Sequence, residues 1–86
     1  MTEKWINKYN KTIFQENNYI TLKRTKLIRE DTTEYEYVTI EVGTKYPDGT
    51  QKYSKMNIEI TLFNALFDDG VLEKFVSYIK EIKNIK

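Results

Sequence analysis

Residues 46–50, Tyr-Pro-Asp-Gly-Thr, constrain the fold of this chain more than any other stretch. Pro47 presets the first turn angle, Asp48 suits the second position, and Gly49 tolerates positive φ. Together they predict a type I turn closed by a glycine bulge, the turn of a tight hairpin. Setting Tyr46 opposite Thr50 fixes every other pair. Val38 then faces Ile58 and Ile40 faces Met56, both apolar. On the other face Glu41 meets Lys55, an opposite-charge pair, and Gly43 lies beside Tyr53, whose ring can cover the gap. A slip of one residue would turn every apolar side chain outward.

The flanking segments extend this hairpin into a sheet. Residues 19–29 form a second strand candidate in which Ile20, Leu22 and Ile28 share a face, interrupted by Arg24 and Lys26. Either that strand is regular, or a bulge near residues 23–25 brings Leu27 inward instead. Residues 29–34 are the polar turn into the next strand. Residues 11–16 suit an edge strand, with Asn17 and Asn18 tolerating the positive φ of a tight turn. Residues 2–10 suit the start of a short helix, with Trp5 and Tyr9 at i,i+4.

At the C-terminal end, Leu72, Phe75, Val76, Ile79 and Ile82 recur with helical spacing and form a stripe wide enough to face a sheet. Asp69 or Gly70 can cap this helix, and Lys80 and Lys83 sit where its dipole favours cations. Residues 61–67 fit a short helical turn or the start of a kinked longer helix. The expected fold is α+β: one domain over residues 1–86, an antiparallel sheet of about four strands with the C-terminal helix packed on one face. That face carries Ile20, Leu22, Val38, Ile40, Met56, Ile58 and Ile60. At 86 residues there is no room for a second core.

The residue inventory argues for binding rather than catalysis. The chain has no His and no Cys, so the commonest neutral-pH base, thiol nucleophiles, disulfides and thiolate metal sites are all missing. Asp68 and Asp69 form an acidic doublet without the ligand spacing of a calcium loop, and capping a helix start explains them. No catalytic residue, metal or cofactor is expected. No apolar run is long enough to span a membrane, and the first residues lack the apolar segment of a secretory signal. A cytoplasmic setting is therefore the expectation.

The tyrosines are the unexplained feature. Opposite the apolar face, the strands carry Tyr19, Lys23, Tyr35, Tyr37, Tyr53 and Lys55, interleaved with Thr and Asn. Tyr and Thr favour strands and can lie half-exposed without purpose. Aromatics interleaved with cations also make a stacking platform for unpaired bases. On that reading Tyr37 and Tyr53 stack bases while Lys23 and Lys55 meet phosphates of single-stranded DNA or RNA. Glu41 and Glu59 on the same strands oppose it. The net charge of +1 hides an asymmetry: residues 1–29 hold seven basic residues against two acids, and residues 30–41 hold five acids. Tyr35, Tyr37 and the acidic turn from Glu30 to Glu36 would equally suit a basic surface on a host protein, in an inhibitor of phage or mobile-element type or in a regulatory subunit.

The order of these elements, with Tyr19-Ile20-Thr21-Leu22-Lys23, then Tyr37-Val38-Thr39-Ile40-Glu41-Val42, then the hairpin, then Lys55 to Leu62 leading into a helix, resembles the positive cofactor four family of transcriptional coactivators. The resemblance spans roughly residues 19–84 and is one of pattern. It implies a curved four-stranded sheet that binds single-stranded DNA and a dimer formed through the helix region. Lys23 and Lys55 are the residues it carries over. Glu41, where the family tends to have Arg, and Asn57, near a family Gly, depart from it. A homodimer through the C-terminal helix region is also expected from Val71, Tyr78, Ile85, Phe63, Leu66 and Phe67, which one sheet cannot cover.

Overall fold

The structure, a computed structural model, describes residues 3–86. Four antiparallel strands follow one another as a meander: β1 (Lys4–Gln15), β2 (Asn18–Ile28), β3 (Glu34–Lys45) and β4 (Gln51–Glu59). Two helices follow, α1 (Ile60–Leu66) and α2 (Asp69–Lys83). The β3–β4 register is the one dictated by the Pro47 turn, with Val38 opposite Ile58, Ile40 opposite Met56 and Gly43 opposite Tyr53. Gly49 takes φ of 90°, and the Tyr46 and Thr50 backbones close the loop at 2.9 Å. Asp48 accepts from the Thr50 amide and hydroxyl at 2.9 and 2.6 Å, a side-chain brace on the turn.

Three local expectations change. Of residues 2–10, residue 2 lies outside the described residues and 4–10 are strand, not helix: β1 pairs with β2 along its length, placing Trp5 opposite Leu27. The i,i+4 spacing of Trp5 and Tyr9 is accommodated by a bulge at Lys8, where the register with β2 shifts. That bulge lies in β1, so β2 is regular and Leu27 falls on the tyrosine face. The positive φ of the β1–β2 turn is taken by Glu16, at 57°, rather than by the asparagines. Arg24 and Lys26, which interrupt the apolar pattern of β2, are spent on ion pairs. Arg24 meets the Glu36 carboxylate, Lys8 meets it at 3.1 Å, and Lys26 meets Glu34 at 3.0 Å.

The helices are capped by acids. Glu59 accepts from the Thr61 and Leu62 amides at the start of α1, and Asp68 accepts from the Val71 amide at the start of α2. The cap of α2 is thus Asp68, one residue before the expected position. Of residues 61–67, those up to Leu66 belong to the short helix α1, which lies against β3 and β4, and Phe67 is its C-cap. Phe63 and Phe67 lie tilted against one another with ring centroids 4.9 Å apart, and Phe75 meets Phe67 edge to face at 6.2 Å.

The α+β class and the four-stranded antiparallel sheet with C-terminal helices match the sequence expectation. The packing of α2 does not. No residue of α2 is buried, and its apolar stripe lies exposed instead of on the sheet. The apolar sheet face is correspondingly open at Ile20, Leu22, Val42 and Met56. Burial has moved to the other side: of the buried residues Tyr19, Thr21, Leu27, Val38 and Thr39, only Val38 belongs to the apolar face. The two tyrosines of residues 34–42 therefore belong to the more sheltered side of the sheet.

Candidate nucleic-acid interface

Strand alternation gathers Trp5 from β1, Lys23, Thr25 and Leu27 from β2, Tyr37 and Thr39 from β3, and Lys55 and Asn57 from β4 around one open trough of about 480 Å³. Its floor is polar and satisfied. The Thr39 hydroxyl donates to Asn57 Oδ1 at 2.6 Å, and further along the same face the hydroxyls of Thr12 and Thr21 share a bond of 2.9 Å. Trp5 is 60% exposed, so its indole is available to a ligand, and Tyr37 is half-buried.

The charges on this face are arranged unequally. Glu41 and Lys55 are cross-strand partners, yet no ion pair joins them. The Glu41 carboxylate instead accepts from the Tyr19 hydroxyl at 2.6 Å. Glu59, the other acid on the face, is turned to the α1 amides. These backbone donors hold its carboxyl below the ordinary value. Lys23 and Lys55 make no ion pair with any described residue. The two acids that sequence sets against anion binding are thus engaged locally, and the two lysines are not.

The six residues singled out from sequence all share this face, in three different settings. Lys23, Tyr37 and Lys55 line the trough. Tyr53 is 57% exposed toward the Pro47 hairpin, and Tyr35 lies opposite Leu27 at the other end, partly exposed. Tyr19 is different. Its ring is buried between Phe14 at 6.3 Å and the Lys45 ammonium at 5.5 Å, and its hydroxyl is bonded to Glu41 and Gln51. The Glu41 carboxylate and burial push its phenol up from the ordinary value, so it stays neutral. Tyr19 offers no open ring for stacking and serves as part of the sheet.

Trp5, Thr25, Leu27, Thr39 and Asn57 are the additions. The spacing of Trp5 to Tyr9 mimics a helix and so places Trp5 away from the sheet, and only the Lys8 bulge reconciles that spacing with a strand. The visible signal was the alternation Trp5, Asn7 against Lys4, Ile6. The acidic turn considered for a basic protein partner is already largely occupied. Glu36 holds Lys8 and Arg24, Glu34 holds Lys26, and Asp31 accepts from Thr33. No protein-family model, curated protein or solved structure matches this chain.

Proposed function

We propose that the protein is a non-catalytic binder of single-stranded nucleic acid, DNA or RNA, and that the Trp5–Tyr37 trough is where the strand lies. The observation that carries this reading is the meeting of the exposed Trp5 and the half-buried Tyr37 with Lys23 and Lys55, which pair with no described residue, on one face. Aromatic rings accept any base by its π-face, and flanking ammonium groups meet the backbone without reading sequence. The trough is partly open and spans all four strands, which suits a chain passing across it better than a small molecule enclosed by it. Duplex DNA offers no exposed base faces to the rings, so single strands are preferred. The engagement of Glu34 and Glu36 by neighbouring cations leaves less acidic surface for a basic protein partner.

Fluorescence anisotropy with labelled single-stranded oligonucleotides at low salt tests the reading. Binding that weakens steeply with salt and exceeds that of the matching duplex is expected. Undetectable binding to both single-stranded DNA and RNA would overturn it, and a nuclease-resistant stoichiometric protein partner from the native host would favour the protein-binding alternative.

A further inference from the structure

Two apolar surfaces of this chain lack cover, and each has the form the other requires. On the sheet, Ile13, Ile20, Leu22, Val42 and Met56 are 40–69% exposed on the face opposite the trough. On α2, Leu72, Phe75, Val76, Ile79 and Ile82 are 40–66% exposed. Within one chain α1 occupies the neighbourhood of Val38, through Ile60 and Phe63, and α2 leaves it after the Phe67–Phe75 contact without packing along the sheet. We propose that the protein is a homodimer in which α2 of each copy lies across the apolar sheet face of the other.

The size of the exposed surface supports a second copy as the occupant. The chain presents 7368 Å², whereas a compact monomer of 10.3 kDa exposes about 5,400 Å². Its radius of gyration is 16.1 Å against about 12 Å for a compact chain of this length. Removing an excess of about 2,000 Å² from each of two copies buries about 4,000 Å² in total, within the range of obligate homodimers.

Dimensions and polarity agree. The 15 residues of α2 extend about 22 Å, and the outer axes of four strands lie about 14 Å apart, so the helix can cross the whole sheet. The other side of α2 carries Glu73, Lys74, Ser77, Lys80 and Glu81, which stay in water. An exchange of helix for sheet in both directions closes on itself, as a two-fold contact does. Both troughs then point outward, and the dimer stands whether or not they bind nucleic acid.

Sedimentation equilibrium of the full chain over a wide concentration range is expected to give twice the chain mass. The absence of cysteine allows the contact to be mapped directly. A mixture of Met56→Cys and Val76→Cys chains, treated with a short bis-maleimide, is expected to yield a covalent dimer joining residue 56 of one copy to residue 76 of the other. Ile79→Glu is expected to weaken association by about 100-fold or more, by placing a carboxylate in the apolar contact. A monomer mass throughout, a link between positions 56 and 76 within one chain of the double variant, linkage confined to 76–76 pairs, or an Ile79→Glu chain that remains dimeric would each overturn the proposal. Should Ile79→Glu fail to fold, the cysteine pairs decide alone.

Discussion

The Tyr19 hydroxyl donates to the Glu41 carboxylate across neighbouring strands at 2.6 Å, and this bond draws Glu41 away from Lys55, its cross-strand partner on the other side. The phenol thereby bears on the pairing of a residue it does not touch. Tyr19→Phe removes the donor and frees Glu41 to pair with Lys55. The expected result is weaker binding of single strands and a log–log salt slope shallower by about 0.7, one phosphate contact's worth. Adding Glu41→Gln to the same chain should restore the slope, which anisotropy titrations over a salt series will measure. Loss of the Gln51 and Glu41 bonds to a buried hydroxyl should also lower the thermal midpoint.

Stacking makes a separate prediction. Tyr37→Ala and Trp5→Ala should each weaken single-strand binding by about 1–3 kcal/mol, roughly 5- to 150-fold, while Tyr37→Phe keeps most of the affinity because the ring remains. Trp5 is the single tryptophan of the chain. Its emission should therefore quench on titration with an unlabelled oligonucleotide and report on the trough alone. An affinity unchanged in both alanine variants would place the strand elsewhere.

Gly43 is set by close approach. A Cβ built there would lie 2.7 Å from the Lys52 carbonyl oxygen and 2.8 Å from both the Tyr19 hydroxyl and Tyr53 Cβ. Two of those neighbours are fixed in the sheet, so the clash has no cheap outlet. Gly43→Ala should cost about 1–3 kcal/mol of stability, as overpacking does, and lower the urea midpoint without changing the slope of the transition.

The acid limb of stability should be broad. Donors hold four carboxyls below their ordinary values in the folded chain: Arg24 and Lys8 at Glu36, the Thr50 hydroxyl and amide at Asp48, Thr33 at Asp31, and the α1 amides at Glu59. As pH falls, the unfolded chain takes up these protons first. The stabilisation is thus complete above the ordinary values of 3.8 and 4.5 and is lost progressively below them. Denaturation midpoints should be flat near neutrality and decline from about pH 5 downward. Asp48→Asn should flatten part of that decline.

What the sequence disclosed, it disclosed through local stereochemistry. Pro47, Asp48 and Gly49 allow one tight turn, and that turn carries the register of β3 and β4 with it. Leu72 to Ile82 fix α2 by spacing alone. The misses share a different cause. The bulge at Lys8 leaves no compositional mark, so Trp5 took the wrong element and dropped out of the site. The bond from Tyr19 to Glu41 joins residues twenty-two positions apart, and only the folded sheet reveals that Glu41 is diverted from Lys55. Lys23, Tyr37 and Lys55 were legible because alternation places them on one face however the chain ends are arranged. The exposure of α2 was hidden because an apolar stripe states that it will be covered without stating by what.

The extra residue at Lys8 also bears on what the sheet cannot become. β1 is an outer strand of 12 residues, and a straight strand of that length is a template on which another could grow. The shift between Asn7 and Tyr9 breaks its outward row of amides and carbonyls into two short runs with mismatched phase. Lys4, Lys8 and Lys11 add a cation to each part of that rim. A fifth strand on this edge would have to change register midway while approaching like charges, which disfavours growth of the sheet along this border.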